Sequence, residues 1–512
     1  MTIAERLPLP SPSAAIGIAV ADTQESAGLL LALCMALEMK GVSYCYWKSS
    51  RRLPVLLEGT SDLDLLVARA DRQRATAILT ELGFKPWLDS PGRDHPALMS
   101  FLGYDEAQGA IRHIHVHFRL VLGHSLLKSF RLPIEERLLA RSVMHASLPI
   151  RILHPADEAL LLIVRANLDM QVADQIVLRR WRSLKAKYAE DLVFLRDRTE
   201  AHTINVRAVE FFSPAVAESI ASRFDARSLR NGGLRRSIAR ELSIFRCYGD
   251  VEMTFRSAWR SLALVTSATN RRLFGVPRLP RRRAPGGGII IAFVGVDGSG
   301  KSTQVSGARK WLGSEIDVFP LYFGTGDGAP SLFFRPFKAV ARLAARLIKV
   351  KPKGASHGNV SDRPPAPLYS LLFAIWAIAV ALDKKHKLAT AQRAIARGFV
   401  VIADRYPQDE NSRFNDGPLL HRLTWVPGWL RQLEMSVYSA ARCAAPDLII
   451  KLRVGPDAVA KREPDMRHDV ILQRVAWFDD LTFHGASVVT IDGARPLPEV
   501  TQIARRAIWA VL

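Results

Sequence analysis

A chain of 512 residues is too long for one ordinary domain, and 48% hydrophobic with 23% charged residues excludes a disordered or collagen-like chain. Cys34, Cys45, Cys247 and Cys443 are scattered with no CxxC pair, which argues against a disulfide scaffold or a cysteine zinc site and fits a reducing compartment. The formal net charge of +22 favours polyanionic neighbours, whether nucleic acid, an acidic membrane surface or phosphorylated substrates.

The first residues, MTIAERLPLPSPSAAIGIAV, have no basic segment ahead of an apolar core, so no signal peptide is expected. Residues 30 to about 150 mix helices with short strands such as SDLDLLV (61–67) and RHIHVHFRL (112–120). Asp62 and Asp64 alternate along the first, so both carboxylates project from one face and can hold Mg2+ beside a nucleoside triphosphate. His115 and His117 share a face of the second and read either as metal ligands or as plain polar residues. This part resembles the nucleotidyltransferase fold, in which a Gly-Ser turn precedes a D-x-D strand by about ten residues. Here WKSS stands at the turn, with Lys48 where Gly is usual and Ser49 and Ser50 able to touch a phosphate. The fold's third carboxylate has no counterpart in RHIHVHF, which offers His113, His115 and His117 instead. The resemblance implies an α+β domain over 1–150, active or degenerate, with Asp62 and Asp64 as metal ligands.

A mainly helical, basic region follows over 151–270 with no recognisable motif. The stretch RRLFGVPRLPRRRAPGGG (271–288) lacks periodicity and reads as a basic Pro/Gly linker at a domain boundary. Beyond it, strands expected at 289–294, 317–323, 399–403, 447–453 and 487–491 alternate with helices, the pattern of a parallel α/β sheet.

The string GVDGSGKST (295–303) opens that last region. Gly295, Gly300, Lys301 and Ser302 satisfy G-x-x-x-x-G-K-[ST], a loop whose backbone N–H groups cradle phosphate at the positive end of a helix. Lys301 is expected to reach the β- and γ-phosphates and Ser302 to ligate Mg2+, so ATP and Mg2+ are the expected cofactors. Gly298, Ser299 and Thr303 complete the nucleotide-binding set with Asp297.

Together with GFVVIADRYPQD (398–409), this string resembles the thymidylate kinase family, within the nucleoside monophosphate kinase-like P-loop fold. The resemblance covers 289–512 and implies that Asp404 and Arg405 face the P-loop. Asp404 would hold the hydrated magnesium or orient the acceptor, and Arg405 would bind the acceptor's anionic group or the phosphoryl in flight. It implies a strand followed by an arginine-bearing lid over 445–469, in which Lys461, Arg462 and Arg467 close over the phosphates, and adenine near Asp492–Gly493. Asp297 matches the family and would orient an acceptor hydroxyl. The acceptor side departs from it. Val294 stands where Glu is usual, YFGTGDGAP (322–330) replaces an Arg-Glu-Pro segment, and Asp383, with Lys384 and Lys385 beside it, falls where an arginine should grip the monophosphate. Thymidylate is therefore not the expected acceptor.

Within 331–353, Arg335, Lys338, Arg342, Arg346 and Lys349 recur at steps of three and four, one basic helical face opposite an apolar one. Such a helix either lies on an anionic membrane or packs on the sheet. LYSLLFAIWAIAVAL (368–382) falls short of the roughly 20 residues of a membrane span and reads as a buried helix. The chain thus reads as cytoplasmic, peripheral at a membrane if 331–353 docks there. The expected function is ATP-dependent phosphoryl transfer to an unidentified small molecule. The alternative is an ATP-binding or ATP-hydrolysing switch at a membrane or in surface-polysaccharide metabolism. Nucleic-acid binding is disfavoured because no aromatic-interleaved basic motif occurs.

Overall fold

The computed structural model describes residues 28–512 apart from 58–61, 90–94, 96, 124–126, 170–180, 227, 275–281, 325–366, 413, 415–416 and 421–424. The opening segment read for a signal peptide, most of YFGTGDGAP and the whole basic stretch 331–353 lie outside the described residues. The chain divides into two units between residues 279 and 280.

In the first unit the strand order is Lys85–Asp89, Leu98–Asp105, Ala110–His117, Leu63–Val67, Tyr44–Tyr46, Arg151–Ile152, Val143–Met144. The histidine-bearing strand is thus Ala110–His117, and the D-x-D strand begins at Leu63, one residue after Asp62. These two strands are parallel neighbours, with Asp64 opposite His115 and Leu66 opposite His117. Alternation sorts their side chains to two faces. Leu63, Leu65, Val67, Ile114 and Val116 pack with helices Leu29–Met39 and Arg72–Glu81. Leu66, Cys45 and Trp47 pack on the other side with helix Pro155–Leu168. Asp64, His115 and His117 belong to that second face by parity. The helical segment is not an independent layer. Leu160, Ile163 and Val164 join the sheet's core to Ile204, Ile220, Phe224 and Ile238 of the later helices.

The second unit is a five-stranded parallel sheet flanked by helices, in the order Val318–Tyr322, Val400–Asp404, Ile290–Gly295, Leu448–Arg453, Val488–Asp492. Each strand lies within one residue of its sequence expectation. The three central strands are near-continuous apolar runs because a parallel sheet buries both faces. The central strand feeds the glycine loop, and Val400–Asp404 lies beside it.

Two sequence expectations change. The stretch read as linker begins inside helix Asp250–Phe274, and its end is built into the second unit. The Gly288 amide donates to the Ile395 carbonyl at 2.8 Å, and a Cβ on Gly288 would stand 1.8 Å from the Phe399 oxygen. The apolar helix, Pro367–Ala396, is not buried all round. Ala374, Ala377 and Ala381 form its packed seam at steps of three and four, whereas Leu371 and Ile375 are about half exposed. Small residues allow the close approach, with Phe373 and Ile378 partly buried beside them. Among the described residues no helix is long and apolar enough to cross a membrane.

Gly288→Ala puts a methyl group into the Phe399 carbonyl and should destabilise the second unit by more than about 3 kcal/mol, read as a lower denaturation midpoint of that unit. An unchanged midpoint would show that the backbone there yields.

Candidate functional site

The glycine loop is shaped by three positions. Gly298 and Gly300 hold left-handed φ values of 75° and 90°, which side chains disfavour. At Gly295 space decides, since a Cβ would sit 2.4 Å from the Ser299 Oγ and 2.9 Å from the Leu452 oxygen. Helix Lys301–Leu312 starts directly after the loop, and no side chain caps its first turn. Its positive end therefore faces whatever the loop cradles. The Ser299 Oγ is buried without a hydrogen-bond partner among the described residues, and Ser302 and Thr303 are exposed. A glycine cradle with an orphaned hydroxyl fits a phosphate oxygen, and an exposed hydroxyl in the first helical turn fits a magnesium ligand. Lys301 is buried, with its ammonium donating to the Val296 carbonyl at 2.6 Å and lying 4.0 Å from Asp297.

The sheet register brings the Asp-Arg pair alongside. Phe293 is opposite Asp404, and the Arg405 amide donates to the Phe293 carbonyl at 2.9 Å. Arg405 itself has φ 67°, an uncommon conformation for arginine that costs roughly 1–2 kcal/mol. Its guanidinium donates to Asp297 Oδ1 at 2.7 Å, and Arg474 donates to Oδ2 at 3.2 Å. Burial alone would raise the Asp297 carboxyl, but Arg405, Lys301 and Arg474 hold it below the usual carboxylate range. Asp297 is thus an ionised clamp.

Of the lid residues, Arg462 reaches the loop, donating to the carbonyls of Gly298 at 2.9 Å and Gly493 at 3.1 Å. That contact joins the loop to the Asp492–Gly493 turn. Arg467 precedes helix His468–Asp479 and pairs with exposed Asp469. Lys461 is exposed. Arg474, two turns into that helix, takes the place against Asp297 and was missed in the sequence. Its signal is legible in retrospect, because Ile471, Val475 and Phe478 are buried at steps of three and four, and Arg474 falls on the same stripe. On the acceptor side, Asp383 pairs with Lys387 at 2.6 Å. Buried Lys384 turns to the Tyr438 hydroxyl at 3.0 Å and lies 4.8 Å from its ring centre.

The first unit gathers a second polar cluster on one sheet face. Lys48 pairs with Asp64 Oδ2 at 2.6 Å, and Asp64 Oδ1 lies 3.3 Å from His117 and 3.5 Å from His115. Burial opposes charge on Asp64, yet Lys48 and the two histidines hold its carboxyl well below the usual range. Asp62 lies 2.8 Å from His113 and 3.9 Å from His115. The two expected metal carboxylates therefore stand on either side of His115, one of them occupied by lysine. Burial and the neighbouring Lys48 ammonium push Lys128 down to about 8, against the pull of Asp64 and Asp169. Ser50 is tied back by its amide to Glu158 at 3.0 Å, whereas the Ser49 Oγ and Trp47 Nε1 are buried without hydrogen-bond partners among the described residues. Burial raises Glu158 to about 7 despite the Ser50 hydrogen bonds.

No family model matches the chain. It is 31% identical over 228 residues to a protein of Escherichia coli (strain K12) named "Uncharacterized ATP-binding protein YghS", a match spanning 44% of this chain and 93% of that protein. It is 28% identical over 235 residues to a second protein of that strain, named "Uncharacterized ATP-binding protein YghR", spanning 43% of this chain and 87% of that one.

Arg474→Met strips one partner from the part-buried Asp297 and should cost about 1–3 kcal/mol in urea unfolding of the second unit. Arg467→Ala, which breaks an exposed pair, should cost under about 0.5 kcal/mol. Equal effects would mean that Arg474 does not clamp the loop. Glu158 binds its proton more tightly folded (about 7) than at its ordinary value of 4.5. Its contribution is therefore full below pH 4.5 and is lost as pH rises through about 7. At about 1.4 kcal/mol per pH unit the loss reaches up to about 3 kcal/mol. Glu158→Gln should flatten the first unit's denaturation midpoint over this window, and a profile matching the wild type would refute the assignment.

Proposed function

The chain belongs to the family of the ATP-binding protein YghS, and from that premise we propose that its second unit transfers the γ-phosphoryl group of ATP to a small-molecule acceptor. The observation that carries this reading is the convergence of four cations on the loop 296–300, with Arg405, Arg474 and Lys301 around the Asp297 carboxylate and Arg462 on the Gly298 carbonyl. Phosphoryl transfer needs little covalent chemistry from a protein; positioned charge and excluded water supply most of the rate. The acceptor oxygen forms a bond to the γ-phosphorus as the bond from that phosphorus to the β–γ bridging oxygen breaks; ADP leaves carrying the bridging oxygen, and the proton of a hydroxyl acceptor passes to solvent.

In this reading Lys301 binds the β- and γ-phosphates, while Ser302 and Asp404 hold Mg2+, which neutralises charge on the phosphate chain. Asp297 has a guanidinium on each oxygen, so its part is to aim Arg405 and Arg474 rather than to take the acceptor's proton. Arg405 is aimed at the transferring group. Arg462 keeps the lid segment on the loop, and Arg467, paired with Asp469, stands at the lid's edge. The organisation is thymidylate kinase-like, with an acceptor pocket altered at Val294 and Asp383, so the acceptor is not thymidylate. The first unit is nucleotidyltransferase-like and lacks the third carboxylate of a two-metal site.

The test is ATP consumption by the full chain with Mg2+, alone and with nucleoside monophosphates, sugars, sugar phosphates or polyprenyl phosphates. One acceptor should stimulate turnover, and Lys301→Ala should lower that rate at least about a hundredfold. Slow hydrolysis indifferent to every acceptor would replace transfer with an ATP-driven switch.

A further inference from the structure

We propose that the first unit holds one divalent transition-metal ion of the zinc class, ligated by Asp62, His113 and His115. The strand register builds the site. Asp64 is paired with His115 across two parallel strands, so Asp62, two residues earlier, reaches the level of His113 on the same face. One ligand atom from each of the three side chains lies within 4.8 Å of the others. Asp62 Oδ1 lies 2.8 Å from His113 Nδ1 and its Oδ2 lies 3.9 Å from His115 Nδ1, on either side of the roughly 3.3 Å donor–donor edge of a tetrahedron with zinc-length bonds.

Donor chemistry selects the ion. Two imidazoles and one carboxylate suit zinc and its borderline neighbours, whereas magnesium demands oxygen ligands. The second carboxylate that magnesium would need is Asp64, and Lys48 holds it at 2.6 Å. Asp64 instead stands 3.5 Å from the His115 nitrogen and adds negative field beside the ion, while its own position is fixed by Lys48 and His117. Exposure rises across the triad, from 1% at His113 through 21% at His115 to 43% at Asp62. The ion would sit at the mouth of the cluster with one side open for a water or ligand, as in three-ligand zinc sites.

The experiment titrates purified, metal-stripped full chain with Zn2+ against a chromophoric chelator, and with Co2+ followed by its visible absorption. The expected result is one ion per chain, not displaced by millimolar Mg2+. Asp62→Asn and His115→Gln should each weaken binding at least about a hundredfold, beyond the ten- to hundredfold loss of an outer hydrogen-bond partner. Both positions are partly exposed, and circular dichroism verifies that the variants fold. Cys443→Ser and His484→Gln remove an exposed thiol and a histidine beside Asp409 in the second unit, and should bind as the wild type does. The proposal is overturned if the wild type takes up no stoichiometric zinc, if Mg2+ competes equally, or if folded Asp62→Asn and His115→Gln keep full affinity. Full affinity in those two with loss in Cys443→Ser would assign the metal to the thiol. No zinc uptake, or full affinity in both variants without loss in Cys443→Ser, would leave the triad as a hydrogen-bond network only, and equal competition by Mg2+ would make it an unselective cation site.

Discussion

Both oxygens of Asp297 carry guanidinium groups brought from far along the chain, and the glycine loop takes its place through them. Arg405 arrives from the end of the adjacent strand and Arg474 from the second turn of a helix about seventy residues later. Charge-assisted bonds of this kind contribute about 2 kcal/mol each, enough to fix the loop against strand and helix together. The charges do not cancel. Lys301, Arg405 and Arg474 surround one carboxylate, so the loop carries a surplus of positive charge with its geometry already set. A polyanion entering it meets that surplus without reorganisation, which is the condition under which electrostatic stabilisation is largest.

The second unit was largely legible because its signals are local. Apolar runs of five or six residues mark strands buried on both faces, and the spacing of Gly295, Gly300, Lys301 and Ser302 fixes a strand, loop and helix within one short string. What escaped is non-local. Arg467 and Arg474 are both arginines near the lid; only the fold shows that one meets an aspartate next door and the other crosses to Asp297. The helix Pro367–Ala396 misled for a different reason: its first half, 368–382, is apolar on every side and gives no period from which to choose the packed face.

The first unit shows the same division. Parity along each strand predicts that Asp62 shares a face with Asp64 and His115 with His117, and the strand pairing sets Asp64 opposite His115. Parity cannot tell which carboxylate stays available. That is decided by Lys48, sixteen residues before Asp64 and placed beside it by the adjoining strand Tyr44–Tyr46. The polar face survives in a buried setting because each charge has an opposite within reach, and because the reverse face carries the apolar packing.

The left-handed backbone of Arg405 bears on how the protein would change under selection. Glycine or asparagine adopts that conformation with less strain, so either would be favoured there by stability alone. A laboratory lineage screened only for heat resistance would be drawn away from arginine at this position, trading the side chain that faces Asp297 for a relaxed peptide. Thermostable variants sampled without an activity screen would therefore be a biased guide to which residues the site requires.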